Sequence, residues 1–122
     1  MNASQTKEVV LAYFNAWTSH NIDKAMAQLA DDIYVQGPTG GARSAVEFRP
    51  GLEAFAKITK RAEIKSFIVE GDKAGLFYEA ELPAPVGVLK IGSFFKVIKG
   101  KIQSYEILFD SVEFRKLMGP KK

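Results

Sequence analysis

"KAGLFYEAELPAPVGVLKIGSFFKVIKGKIQSYEILF" (Lys73–Phe109) carries apolar residues at every second position over most of its length. That period belongs to β-strands with one face toward a core, not to helices. Three strands follow, Lys73–Leu82, Val86–Ile98 and Lys101–Phe109, separated by "PAPVG" and "KG". Both separators are short enough for antiparallel hairpins. A fourth strand, Ala62–Glu70, precedes them across "GDK".

The hairpins suggest a register. A two-residue Lys99-Gly100 turn sets Ile98 opposite Lys101, Phe94 opposite Tyr105, Gly92 opposite Ile107 and Lys90 opposite Phe109. Placing Leu82 opposite Val88 then sets Tyr78 opposite Gly92 and Leu76 opposite Phe94. Side chains alternate between faces. One face therefore gathers Leu76, Tyr78, Ala80, Leu82, Val88, Lys90, Gly92, Phe94, Tyr105, Ile107 and Phe109. The other gathers Phe77, Glu79, Glu81, Leu89, Ile91, Ser93, Phe95, Val97, Glu106 and Leu108. A slip of one residue would exchange the two.

Upstream the period changes. Ser4–Thr18 reads as an amphipathic helix carrying Val9, Val10, Tyr13, Phe14 and Trp17 at helical spacing. Asn21 or Asp23 can cap a second, shorter helix through Ala30. Ile33–Gln36 reads as a brief strand entering the turn "GPTGG", and Arg49-Pro50-Gly51 precedes a third helix with Leu52, Phe55, Ala56 and Ile58 on its apolar side. Helices first and a strand meander afterwards indicate an α+β fold, with three N-terminal helices packed on a curved, mainly antiparallel sheet. The more apolar sheet face lies beneath them, so Tyr13, Trp17 and Phe55 close over it.

Composition excludes several functions. The 122 residues make one domain (1–122) with an ordinary soluble composition and no cysteine, hence no disulfide, thiolate metal site or cysteine nucleophile. With Lys7 and Glu8 where a signal peptide needs apolar residues, we expect a cytoplasmic protein, and no apolar run is long enough to span a membrane. The net charge is +3, and Lys116, Lys121 and Lys122 alone supply three charges near the C-terminus. Elsewhere the charges are interspersed, without the basic patch that nucleic-acid binding needs. His20 is the only histidine, Asp31 and Asp32 read as a solvated turn, and "GPTGG" lacks the Gly-Lys-Ser/Thr of a phosphate loop. We expect no metal and no cofactor.

Three stretches resemble a known superfamily. "VVLAYFNAW", "NIDKAMAQLADDIYVQGPTG" and "GKIQSYEILFDSVEFRKLMG" are similar to the first helix, the second helix with first strand, and the closing segment of nuclear transport factor two-like proteins. That superfamily includes ketosteroid isomerases, limonene epoxide hydrolases and SnoaL-like polyketide cyclases. The resemblance implies a cone-shaped sheet, hollow at one end, with an apolar pocket for a small molecule. It also implies a homodimer through the outer sheet face, which in the register above exposes Ile91, Phe95, Val97 and Leu108.

The same resemblance bears on catalysis. The isomerases' base aspartate matches Gly37, their second acid matches Gly92, and the epoxide hydrolases' last-strand aspartate matches Ile107. None of these can transfer a proton through a side chain. Tyr13 matches the isomerase tyrosine that donates to the substrate oxygen. Catalytic candidates are thus reduced to Tyr13 and Lys90. Lys90 could snorkel to water, anchor a ligand carboxylate or enolate, or react as a desolvated amine. Asp110, three residues before Glu113, has the pattern of a helix cap and falls on the opposite phase from Tyr105, Ile107 and Phe109. Arg43 and Arg49 flank the Gly-rich loop and could meet an anionic ligand, although solvated loop charges explain them as well.

These residues leave three readings open. One is a small hydrophobic-ligand binding protein using Tyr13, Trp17, Phe55, Tyr78, Lys90, Phe94, Tyr105, Ile107 and Phe109. Another is an isomerase, cyclase or hydrolase acting on a hydrophobic carbonyl or epoxide. The third is an interaction module whose core is filled.

Overall fold

The computed structural model describes residues 2–118. In chain order the elements are α1 (Ala3–Thr18), α2 (Ile22–Met26), β1 (Leu29–Gly37), β2 (Gly40–Ala42), α3 (Ala45–Ile58), β3 (Arg61–Glu70), β4 (Lys73–Leu82), β5 (Gly87–Ile98), β6 (Lys101–Leu108) and α4 (Val112–Met118). The strands form one curved, unclosed sheet in the order β2-β1-β6-β5-β4-β3. Only the β1–β6 pair is parallel. This is the expected α+β architecture, with an additional helix at the C-terminal end. Among the described residues no helix is long and apolar enough to cross a membrane.

Local chemistry sets the helix ends. The Asn2 carboxamide accepts the Gln5 N–H at 2.9 Å and the Gln5 side chain accepts the Asn2 N–H at 3.1 Å. This capping box starts α1 at Ala3. The Thr6 hydroxyl donates to the Gly71 carbonyl at 2.7 Å and ties the helix start to the β3–β4 turn. Asn21 caps α2, which stops at Met26 instead of Ala30 because Leu29 already enters β1. β1 is correspondingly longer than Ile33–Gln36, and Asp31 and Asp32 are exposed strand residues. The segment read as a plain turn holds β2, paired Val35 to Ala42 and Gly37 to Gly40. A side chain at Gly41 would collide with the Val35 carbonyl, so glycine is required there, and the strand shows no apolar alternation.

Two further boundaries differ. α3 begins at Ala45, where Ser44 Oγ accepts the Glu47 N–H at 3.1 Å. Pro50 lies inside this helix and does not precede it. Val46, whose carbonyl loses its usual donor to the proline ring, is an 84% exposed residue. Asp110 stands one residue before Ser111, whose carbonyl accepts the first helical bond of α4 from the Arg115 N–H at 2.9 Å; the Asp110 carboxylate accepts the Val112 N–H at 3.1 Å. Glu113 pairs with Lys116 at 3.0 Å. Lys121 and Lys122 lie outside the described residues.

The sheet register corrects the expected wall. Leu82 pairs with Gly87, so β4 and β5 are joined by the four residues Pro83–Val86, and Tyr78 faces Ile91. In the next hairpin Ile98 pairs with Lys101 as expected. Past Val97–Ile102, however, the ladder resumes at Lys96–Ser104, leaving Gln103 as an extra residue on β6. Its side chain donates to the Asp32 carboxylate at 2.8 Å. Each feature shifts the register by one residue. The second shift reverses the effect of the first, so β4 and β6 keep their expected faces and only β5 turns over. Ile91, Phe95 and Val97 are buried against the helices, and Lys90 and Phe94 stand on the outer face.

The outer face has its own packing. The Phe77 ring lies against Gly92, its pairing partner, where an added Cβ would come within 3.2 Å of it. Phe94 covers Gly75 in the neighbouring row. Aromatic rings laid over cross-strand glycines fill the gaps those glycines leave in a sheet.

Candidate functional site

Between the inner sheet face, α1, α3, α4 and the β1–β2 hairpin lies a cavity of about 780 Å³. Tyr13, Trp17, Phe55, Tyr78, Tyr105, Ile107 and Phe109 all line it. Lys90 and Phe94, assigned to this wall from the sequence, do not, because β5 presents Ile91 there instead. Sequence reasoning missed the hairpin residues Gly37–Ala42, Phe48, Leu52 and Glu47 on α3, and Phe114 with Arg115 on α4. The pattern of Ser44 followed by Glu47 could have placed the start of α3 correctly, and with it Glu47 and Phe48.

Aromatic contacts build the wall in two groups. Trp17 packs on Phe55 at 5.5 Å and on Tyr78 at 5.9 Å between ring centroids. Phe114 contacts Phe55 at 6.0 Å and Phe109 at 5.2 Å, so α4 joins the cavity's wall through one buried ring. Deeper in, Tyr105 stacks on Phe95 at 4.6 Å and meets Tyr13 edge-on at 5.4 Å. Edge-to-face and offset arrangements are the favourable ones for rings at these distances.

The polar groups inside are hydroxyls. Tyr13 Oη and Ser93 Oγ are buried without a hydrogen-bond partner. Burial raises the pKa of Tyr13 well above its ordinary value of 10.0, and the neighbouring Tyr105 and Tyr78 add to the effect. Tyr78 and Tyr105 are also raised by burial; Tyr105 adds to the effect at Tyr78 and the Ser93 hydroxyl opposes it, whereas at Tyr105 the opposing groups are Tyr13 and then Ser93. The Tyr13, Tyr105 and Ser93 hydroxyls are thus near enough to influence one another electrostatically, yet Tyr13 Oη and Ser93 Oγ make no contact of hydrogen-bond geometry. All three phenols stay protonated near neutrality and offer donors, not bases.

Charged groups are confined to the rim. Glu47 is the only carboxylate among the described lining residues, and it accepts the Arg43 N–H at 2.7 Å. Gly37 and Ile107 line the cavity, so two of the compared acid positions are apolar there. The third, Gly92, faces outward; the inward residues beside it are Ile91 and Ser93, neither of them an acid. Arg43 lies over the Tyr34 ring at 5.1 Å, and Arg49 is held by Asp23 at 2.7 Å and Glu53 at 3.0 Å. Neither reaches the cavity. His20 is exposed, and the described residues contain no cluster of side chains able to hold a metal.

Comparison with known proteins is informative at this point. The model of the SnoaL-like domain family matches residues 10–105. A structure from Kribbella flavida DSM 17836 shares 30% identity and a TM-score of 0.85, the match covering 91% of both chains. A candidate ketosteroid isomerase from the same organism has a TM-score of 0.80 at 13% identity, covering 98% of this chain and 91% of that one. An LEH-like epoxide hydrolase of M. tuberculosis has a TM-score of 0.75 at 18% identity, covering 93% and 89%. At such identities the last two show the fold alone. No curated protein matches the sequence. With the family match spanning most of the chain, this protein belongs to the SnoaL-like domain family of the nuclear transport factor two-like superfamily, whose fold also serves isomerases, cyclases and epoxide hydrolases.

Proposed function

We propose that this protein binds a small hydrophobic molecule in the cavity, without the carboxylate chemistry of the superfamily's isomerases and hydrolases. The observation that carries this reading is the lining itself: about 780 Å³ walled by aromatic and aliphatic side chains, with its one described carboxylate at the rim. That volume is within the range of small-molecule sites, and apolar walls supply most of their affinity. Neutral tyrosine hydroxyls suit a ligand carrying a carbonyl or phenolic oxygen. Lys90, on the opposite face, is no longer a candidate anchor or base.

The uncharged fluorophore N-phenyl-1-naphthylamine tests the reading. It should bind saturably, and filling the cavity by Ile107→Trp, or independently by Ala54→Phe, should weaken it at least about tenfold in variants that keep their circular dichroism. Saturable binding that neither substitution disturbs, or no binding to the unaltered protein, would overturn it.

The outer sheet face supports a second copy of the chain as partner. Ile68, Phe77, Phe94 and Leu108 are 69%, 60%, 55% and 51% exposed. They occupy two adjacent cross-strand rows, Ile68–Gly75–Phe94–Glu106 and Phe77–Gly92–Leu108. An exposed apolar patch of this kind marks an interface, and twofold symmetry would bury it against itself. Sedimentation should show a dimer at micromolar concentration, and Phe77→Asp combined with Phe94→Asp should yield a folded monomer. A monomeric unaltered protein sinks the proposal.

A further inference from the structure

The cavity has an unmatched cation at its rim. Arg115 lines it from α4. The guanidinium is not loose: its Nη2 donates to the Pro38 carbonyl at 2.8 Å and its Nε to Ser111 Oγ at 3.2 Å. Pro38 itself lines the cavity, so the first bond holds the guanidinium beside the rim. Arg43, Arg49 and Arg61 each have another partner, a ring or a carboxylate. Arg115 has no carboxylate partner among the described residues. It is a charged fork, positioned by two neutral acceptors and with donors to spare.

We propose that Arg115 anchors an anionic oxygen of the ligand, so that the bound molecule is an amphipathic acid. Its apolar body would lie along Trp17, Phe55 and Phe109, and its carboxylate, sulfonate or enolate at the Arg115–Pro38 rim. This rests on the cavity reading above and adds to it the ligand's charge and orientation. A guanidinium favours such oxygens because two parallel N–H donors match their geometry, and charge-assisted bonds are stronger than neutral ones. Holding the fork in place beforehand reduces the ordering cost of binding. The opposing group is Glu47, also on the lining. Its carboxylate accepts the Arg43 N–H and sits in the first turn of α3, where the helix end favours negative charge, so part of its field is already answered.

A matched pair of probes separates anchor from cavity. N-phenyl-1-naphthylamine and 1-anilinonaphthalene-8-sulfonate share one apolar frame and differ by the sulfonate. Arg115→Gln should weaken the sulfonate probe about tenfold, the usual effect of losing a charge-assisted bond, and leave the neutral probe within about twofold. Arg115→Lys, which keeps the charge but not the fork, should fall between. Added salt should weaken only the sulfonate probe, and the effect should vanish in Arg115→Gln. Only the binding that Ile107→Trp or Ala54→Phe abolishes is counted, which excludes attachment to the outer face. If Arg115→Gln weakens both probes equally, Arg115 only braces α4 against the hairpin, and the anchor is refuted while the cavity stands. If it weakens neither, the anchor is refuted in the same way. If neither probe shows cavity-dependent binding, both readings fall together.

Discussion

Phe95→Ala should destabilise the fold by about 3–5 kcal/mol, whereas Phe94→Ala, one residue earlier, should cost less than about 1 kcal/mol. Phe95 is 4% exposed and packs between Tyr105 and Tyr13, so truncating it removes apolar contact and leaves a cavity that the stacked rings cannot refill. Phe94 is 55% exposed, and truncation there loses mainly its cover over Gly75. Urea midpoints at unchanged slope, taken at submicromolar protein so that self-association does not contribute, measure both. Equal costs, or the reverse order, would mean that β5 presents the opposite set of side chains to the core. The same contrast governs charge: an aspartate at position 95 should prevent folding, whereas at 94 it should be tolerated.

Stability should fall steeply once the pH rises past about 10. Burial raises the phenol pKa values of Tyr13, Tyr78 and Tyr105 in the folded chain above their ordinary value of 10.0. The unfolded chain releases these protons near 10 and the folded chain retains them. Above that point the unfolded state binds fewer protons, so the slope of unfolding free energy with pH is negative. The contribution is whole below the unfolded pKa and is lost as pH climbs toward the folded values. Each tyrosine accounts for up to about 1.4 kcal/mol per pH unit, hence about 4 kcal/mol per unit for the three together. Urea unfolding at pH of about 9, 10 and 11, read alongside phenolate absorbance, checks this: the three buried rings should ionise only as the chain unfolds. Tyr105→Phe should reduce the slope by about a third. A free energy that stays level from about pH 9 to 11 would show that these hydroxyls are hydrated.

Much of the site followed from residue pattern alone, for a reason that Tyr78 and Tyr105 illustrate. Both lie on strands whose alternation is strong, and both were assigned to the inner face. Yet the pairing that put them there was wrong twice, once at the Pro83–Val86 connection and once at Gln103. The errors cancelled for β4 and β6 and fell entirely on β5, which is why Lys90 and Phe94 were misplaced and Ile91 and Ser93 overlooked. β5 is apolar on both faces, with Phe94 beside Phe95 and Val88 beside Leu89, so its own pattern could not reveal the slip. Arg115 was invisible for another reason: its value depends on a hydrogen bond to Pro38 across the fold, and no local pattern encodes it.

By itself, then, the sequence determined the types of the elements other than β2, the β3 to β6 meander with its hairpins, the helical stripe of Tyr13 and Trp17, and the absence of acids at positions 37, 92 and 107. Periodicity, turn chemistry and residue identity are local properties, and reading them requires no partner. Only the tertiary structure decided which face of β5 is buried, that α4 and the β1–β2 hairpin border the cavity, and which cation stands at its rim. Those depend on how many residues a connection uses and on whether a strand carries one extra. A single residue added to a bulge or removed from a loop reverses every side chain beyond it while leaving the local pattern unchanged.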